Sequence, residues 1–214
     1  MSINVSPNNV YFLPNTNQHG LSLNASVLTK NTRSFEFKVR FLPDWSTVNK
    51  DYEYGVIMLN GSHLGITIHP NHVCGTIWTT NGVEQLFAKI DRNSLSEDDA
   101  IECSFKVDNE NKTISLGGED CIFWYHESQT KKFEGDLVDD YETSYLWIGC
   151  SNAISSCPEE HRWYFTGRVD YLEIIKEEET IFKSNMKKLT EFKIYDESET
   201  GNHFLKWNTE WMDD

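Results

Sequence analysis

The chain has 214 residues, 38% of them hydrophobic and 13% aromatic, and a formal net charge of −15. This length fits one large domain or two small ones, and the negative charge argues against nucleic acid as a partner, because phosphate binding needs a basic surface. No stretch is long and apolar enough to span a bilayer, so we expect no membrane insertion. The first fifteen residues lack the basic and apolar regions of a signal peptide. We therefore expect a protein that is cytoplasmic or released in a virus or phage particle.

The first half of the chain is a series of short strand-like runs. The clearest run, residues 34–41, alternates strictly between apolar and charged side chains. This alternation is typical of a strand with one face in a core and one in water. Its apolar members are Phe35, Phe37, Val39 and Phe41. Further runs are 20–28, 54–59, 63–69, 73–79 and 84–90, and the pairs Asn60-Gly61 and Asn81-Gly82 have the composition of hairpin turns.

The second half of the chain continues the same pattern. Residues 101–107, 112–116, 145–150 and 163–175 are strand-like, which brings the total to roughly ten to twelve strands with dense turn signals. This regular spacing predicts an all-β sandwich or jelly roll. In the last run, strict alternation places two groups of residues on opposite faces. One group is Val169, Tyr171 and Glu173, and the other is Asp170, Leu172 and Ile174.

The segment with a helical period is residues 177–189. Its predicted apolar face consists of Ile181, Phe182, Met186 and Leu189. After it, the chain has the pattern of a hairpin around the polar turn 196–201. No internal repeat and no linker rich in Pro or Gly divides the sequence, so we expect one domain. It comprises a β-sandwich over residues 1–176 and a C-terminal extension, residues 177–214, that packs on the sandwich with a short helix and a hairpin.

The order of these runs resembles a known family. The chain has a strand that ends in Ile148-Gly149, then a variable loop, and then the sequence FTGRVDYLEII at 165–175. This order resembles the closing strands of laminin-G-like domains. These domains, here of the microbial or phage kind, belong to the concanavalin A-like lectin and glucanase superfamily. Residues 35–41, 54–59 and 101–118 resemble the opening and middle strands of the same family. The resemblance implies a concanavalin A-like antiparallel β-sandwich.

Several features depart from the family pattern. Arg168 stands where animal laminin G domains have a cysteine, so the resemblance implies that their disulfide is absent. The sequence YDESETGNH at 195–203 resembles a segment that normally precedes the family's core and here follows it. The chain has five cysteines, and an odd number without a signal peptide suggests reduced thiols. A disulfide between Cys150 and Cys157 stays an open alternative.

Carbohydrate recognition is the function that the resemblance and the loops favour. Sugars are held by aromatic rings and by polar side chains that bond to hydroxyl groups, and the loops of a sandwich cluster at its ends. We therefore expect a non-catalytic module that binds a glycan or glycoprotein. Its candidate ligand-binding residues are Asp44, Trp45, Trp78, Asn81, Trp124, Arg162 and Trp163. For Trp78 and Trp124, packing in the core is the alternative interpretation.

Two other functions stay open at this point. The chain can be a structural component of a virus or phage particle, with the terminal aromatic residues Phe204, Trp207 and Trp211 packed on a neighbouring subunit. A less favoured alternative is a glycan hydrolase or lyase, because the superfamily also contains glucanases, which use two carboxylates across the scissile bond. Alternation places Asp170 and Glu173 on opposite faces of their strand, so the sequence favours a protein that is not an enzyme.

Metal binding is a further alternative, with calcium as the candidate ion. Calcium takes several oxygen ligands, and two acidic stretches supply carboxylates without the spacing of an EF-hand loop. They are Asp136, Asp139, Asp140 and Glu142 in one stretch, and Glu97, Asp98 and Asp99 in the other. A solvated acidic loop is the alternative for each. A zinc site from Cys150, Cys157 and His161 lacks the tight cysteine spacing that such sites use.

Overall fold

The computed structural model describes most of the chain as strands and tight turns. The described residues are 3–6, 9–12, 20–24, 31–48, 54–59, 64–90, 92–95, 99–117, 129–138, 145–149, 165–186, 193–194, 196–200, 202 and 204–207. Within these ranges there is a single turn of 3₁₀ helix at Arg92–Ser94 and no α-helix. None of these residues forms a helix that could cross a membrane.

The described residues form sixteen strands in two antiparallel sheets. In chain order they are β1 (Ile3–Ser6), β2 (Asn9–Phe12), β3 (Gly20–Asn24), β4 (Ser34–Pro43), β5 (Tyr54–Leu59), β6 (Leu64–His69), β7 (His72–Thr79), β8 (Gly82–Lys89), β9 (Ile101–Asp108), β10 (Thr113–Gly117), β11 (Gln129–Lys132), β12 (Tyr145–Ile148), β13 (Gly167–Lys176), β14 (Glu179–Ser184), β15 (Lys193–Ile194) and β16 (Phe204–Trp207). Sheet A has the order β1-β2-β13-β4-β9-β10-β11, with β14 beside β13. Sheet B has the order β15-β16-β3-β12-β5-β6-β7-β8. The predicted jelly-roll β-sandwich is confirmed.

The hydrophobic core fills the space between the two sheets. Strand β4 lies in the middle of sheet A, and Phe35, Phe37, Val39 and Phe41 on its inner face are all buried, as their alternation predicts. Gly75 of β7 faces the core from sheet B. A Cβ atom there would lie 2.4 Å from Cδ2 of the Phe105 ring. The missing side chain therefore lets a phenylalanine of one sheet approach the backbone of the other.

Strand β13 departs from the predicted alternation. Its pairing with β4 shifts register between Val169 and Tyr171, which is a β-bulge. Val169 and Leu172 are fully buried on the inner side, while Asp170 and Tyr171 both line a groove on the outer side together with Glu173. The prediction that Asp170 and Glu173 face opposite ways is wrong, because the bulge adds one residue to the outer face.

The predicted C-terminal helix is also wrong over its described part. Glu177 and Glu178 have positive φ angles of 51° and 73° and form a two-residue turn of the kind that hairpins favour. The turn returns the chain along β13 as strand β14. On the edge opposite β4, β13 pairs with β2 only over Gly167–Val169. The second half of that edge pairs with β14 instead. Of the residues predicted to form the apolar face of the helix, Ile181, Phe182 and Met186 pack in the core instead. Leu189 lies outside the described residues.

A polar turn after β14 covers the free edge of that strand. The carboxylate of Asp196 accepts hydrogen bonds from the backbone N–H groups of Lys183, Ser198 and Asn202 and from the hydroxyls of Ser198 and Thr200. The carbonyl oxygen of Ile181 accepts hydrogen bonds from the side chains of Thr200 and Asn202. Side chains therefore take the place of a neighbouring strand. The predicted hairpin around this turn is confirmed, because β15 before it pairs with β16 after it.

We predict that Gly75→Ala lowers the free energy of unfolding by about 1–3 kcal/mol, since an added methyl group overpacks the core against Phe105. Chemical denaturation measures this change. The double variant Gly75→Ala/Phe105→Leu should lose less stability than the sum of the losses in the two single variants. Val83→Ala, on an exposed position of β8, is the control and should change stability by less than about 0.5 kcal/mol. Equal stability of Gly75→Ala and the parent chain would contradict the packing described here.

We predict that Asp196→Asn destabilises the chain by about 1–2 kcal/mol at neutral pH, since it removes charge from a group that accepts several hydrogen bonds. Burial by itself raises the pKa of Asp196, but the hydrogen bonds from Ser198, Lys183 and Thr200 outweigh burial and lower it. The stabilisation is therefore present above the unfolded-state pKa, and it is lost as pH falls below about 4.

Thermal unfolding of the parent chain and of Asp196→Asn across this pH range checks the prediction. The difference in midpoint should shrink as the solution is acidified. Glu199→Gln is the matched control, because Glu199 is an exposed carboxylate in the same turn. A constant difference between the parent chain and Asp196→Asn from pH 7 to pH 3 would show that the charge of Asp196 does not stabilise the turn.

Candidate ligand-binding face

Strands β5 to β8 form a continuous antiparallel meander in sheet B. Their alternate residues point either to the core or away from it. We call the side away from the core the sheet B face. On β7 it carries His72, Cys74, Thr76 and Trp78, and the cross-strand partners of these residues on β8 are Lys89, Phe87, Gln85 and Val83. On β5 and β6 it carries Met58, Gly65, Thr67 and His69.

The floor of the sheet B face is buried although it points away from the core. Met58, Thr67, Cys74 and Thr76 are each no more than 5% exposed. Met58 and Cys74 are separate from the hydrophobic cluster between the sheets. The absence of a side chain at Gly65 makes room for Met58, since a Cβ atom at Gly65 would lie only 2.7 Å from the Met58 sulfur.

Large apolar side chains stand above this floor. Trp78, Val83 and Phe87 are 37%, 47% and 45% exposed, and they are the exposed large hydrophobic residues of the described chain. Trp78 and Val83 are directly opposite each other on β7 and β8. Phe87 lies on the same face four residues beyond Val83, which corresponds to about 13 Å along the strand. The face therefore carries two aromatic positions separated along one hairpin.

Histidines extend the aromatic surface beyond Phe87. The ring of His72 meets that of Phe87 edge-on, with 5.1 Å between ring centroids. His69 stacks on His72 with 4.4 Å between centroids. Between the two aromatic positions the surface is polar, because the side-chain amide of Gln85 donates a hydrogen bond of 3.2 Å to Thr76 Oγ1. The sheet B face thus alternates flat rings with hydrogen-bonding groups.

The predicted site residues that the structure describes fall into two places. Trp78 lies on the sheet B face, and Asn81 lies in the turn at the same end of the β7–β8 hairpin, where its N–H donates to Thr79 Oγ1. Trp45 packs partly against the core, and the guanidinium of Arg92 lies 4.7 Å from its ring centroid. Arg92 follows the far end of β8, so about 20 Å of strand separates the two tryptophans.

Of the remaining predicted residues, the structure describes Asp44. The carboxylate of Asp44 accepts hydrogen bonds from the N–H and the hydroxyl of Ser46, which stabilises the turn after β4. Trp124, Arg162 and Trp163 lie outside the described residues. The sequence did not single out Phe87, because residues 84–88 carry apolar side chains at both odd and even positions and so give no sign of which face is buried.

The structure shows no metal site among the residues it describes. These residues contain no group of three or more His, Cys, Asp or Glu side chains placed to hold an ion. Asp136 forms an ion pair of 2.9 Å with Lys112 Nζ. The other candidates outside the described residues are Glu97, Asp98, Asp139, Asp140, Glu142, Cys150, Cys157 and His161. Cys74 and Cys103 are buried and form no disulfide, and burial raises the pKa of Cys103.

Comparison with known proteins identifies the fold. No protein-family model and no curated protein sequence matches the chain. Among solved structures, the CBM40 module of the Ruminococcus gnavus IT-sialidase, bound to α2,3-sialyllactose, is similar with a TM-score of 0.52 and 12% sequence identity, over 78% of this chain and 89% of that chain. The chain therefore has the concanavalin A-like β-sandwich fold that the sequence predicted.

Two more distant structures also align with the chain. A SAP-like pentraxin from Limulus polyphemus has a TM-score of 0.48 and 8% identity, over 86% of this chain and 82% of that chain. Domains LG4-5 of the mouse laminin α1 chain have a TM-score of 0.42 and 14% identity, over 81% of this chain and 44% of that chain.

Proposed function

We propose that the chain is a carbohydrate-binding module and that the sheet B face is its binding surface. The observation that carries the proposal is the exposure of Trp78 and Phe87 on one face of a hairpin. Exposed aromatic rings on a regular strand surface are costly in water, and they offer flat apolar platforms to the C–H faces of a sugar ring. The face is therefore suited to a ligand that is apolar on one side and rich in hydroxyl groups on its edges.

The spacing of the platforms indicates an oligosaccharide. Trp78 and Phe87 are separated by about 13 Å along the strand direction, which is longer than one sugar ring. The polar pair of Gln85 and Thr76 lies between them. Because Gln85 uses one amide hydrogen for Thr76, its carbonyl oxygen and second amide hydrogen can bond to hydroxyl groups of a bound sugar.

The rigidity of the surface favours binding. The platforms stand on adjacent strands that pair over eight positions, and the backbone at the Trp78 end is held by a hydrogen bond of 3.1 Å from Val138 N to Trp78 O. A preorganised surface loses little conformational freedom when a ligand binds. The sialyllactose in the CBM40 structure supports a glycan as the ligand class, by analogy of fold alone.

An assembly role is the second candidate, and the same three side chains suggest it. Val83 and Phe87 lie on β8, at one edge of the described sheet B, and Trp78 lies on the adjacent β7, where they could pack against another subunit of a virus or phage particle. The terminal aromatic side chains predicted for such a contact lie outside those that the structure describes. An assembly surface and a glycan surface respond differently to the experiment that follows.

We predict that Trp78→Ala and Phe87→Ala each weaken glycan binding by at least about tenfold, which corresponds to about 1.4 kcal/mol. The purified chain is screened on a glycan array, and the affinity of each variant for the best ligand is measured by calorimetry. Trp45→Ala is the comparison variant. Because Trp45 lies at the opposite end of β8, this substitution should leave glycan binding unchanged. Circular dichroism confirms that each variant is folded.

The other outcomes separate the alternatives. Loss of binding in Trp45→Ala alone would move the site to the loop after β4. A silent array, with an oligomer in light scattering that Trp78→Ala dissociates, would replace the glycan function by assembly. The array is run with calcium and with chelator, and we expect equal binding because the residues of the sheet B face include no carboxylate.

A further inference from the structure

A charged groove of about 590 Å³ lies on the outer side of sheet A. It is unrelated to the sheet B face, because the whole hydrophobic core separates the two surfaces. Side chains of three adjacent strands, β9, β4 and β13, line it. The bulge in β13 brings both Asp170 and Tyr171 to this side, and bulges often redirect side chains toward a functional surface.

Most charges in the groove hold one another in place. Arg168 and Asp170 form a two-point ion pair, with 2.6 Å from Nε to Oδ1 and 3.1 Å from Nη2 to Oδ2. Glu173 accepts hydrogen bonds from the hydroxyls of Tyr171 and Thr180 at 2.8 and 3.1 Å. Burial and the bond to Glu173 raise the pKa of Tyr171, so its hydroxyl stays a donor. These groups form a fixed frame around the groove.

Two oppositely charged side chains in the groove, Arg40 and Glu102, take no part in this frame. Arg40 of β4 and Glu102 of β9 are cross-strand neighbours, and Tyr171 is the neighbour of Arg40 on the other side. Neither Arg40 nor Glu102 makes a hydrogen bond or an ion pair with any residue that the structure describes. A guanidinium and a carboxylate therefore stand side by side, both open to the groove. Even if the two side chains paired with each other, an ion pair exposed to water would contribute little to stability. A ligand that pairs with each of them separately therefore has little to compete against.

We propose that this groove binds a small molecule that carries a carboxylate and, on the adjacent carbon, an ammonium or hydroxyl group. The carboxylate pairs with Arg40, whose planar guanidinium matches two carboxylate oxygens. The adjacent donor bonds to Glu102, and the ring of Tyr171 forms the wall beside Arg40. α-Amino acids and α-hydroxy acids share this chemistry.

Four small molecules with the same carbon skeleton test the proposal. Alanine and lactate carry the carboxylate with an ammonium or a hydroxyl group, propionate carries the carboxylate alone, and alaninamide carries the ammonium alone. Each is titrated into the ¹⁵N-labelled full chain, and the resonances of the Arg40 guanidinium and of the β4 and β9 amides are followed. We expect saturable shifts with alanine or lactate, at affinities at least tenfold higher than with propionate or alaninamide. The tighter of the two identifies the ligand as an amino acid or a hydroxy acid.

Variants locate the effect in the groove. Arg40→Gln should abolish the shifts, and Glu102→Gln should reduce the affinity for alanine to that for propionate. Lys106→Gln is the matched control, because Lys106 lies on the same side of β9 outside the groove and should leave the affinity unchanged. Trp78→Ala should also have no effect, which separates this site from the glycan function. Shifts that do not saturate, that are equal for all four molecules, or that persist in Arg40→Gln would overturn the proposal.

Discussion

The contact between Phe105 and the backbone at Gly75 fixes how the two sheets face each other. A phenylalanine ring of sheet A occupies the place of a side chain in sheet B, so neither sheet can rotate or slide without opening the core. Once the inner side of these strands is set, the two-residue period of a strand assigns every other side chain to an outer surface. The chemistry of both outer surfaces therefore follows from the packing between them.

The two outer surfaces differ in chemical character. The outer side of sheet A is a lattice of ion pairs and hydrogen bonds around Glu173 and Asp170, whereas the sheet B face has tryptophan, phenylalanine and histidine rings above small buried residues. This division within one acidic chain is hidden in the overall composition. It becomes visible only when each residue is assigned to a sheet and to a side of that sheet.

The sequence predicts regular alternation well and interruptions of it poorly. Strand β4 follows its pattern of apolar and charged residues along its whole inner face. The bulge of β13 lies in its pairing with β4, and β14 lies along the part of β13 that β2 does not pair with, so both involve contacts beyond the local alternation of the sequence. The same limit applies to the candidate site. Trp78 could be proposed from its residue type, but Phe87 joins it only through the register of the β7–β8 hairpin.

The turn around Asp196 has a consequence for how the domain behaves at high concentration. An exposed strand edge is a template on which another chain can add a strand, and this is a common route to aggregation. Here the N–H of Lys183 and the carbonyl of Ile181 on the edge of β14 are already occupied by side chains that follow in the same chain. A short polar sequence thus acts as a terminator for the sheet and keeps copies of the protein from joining along β14.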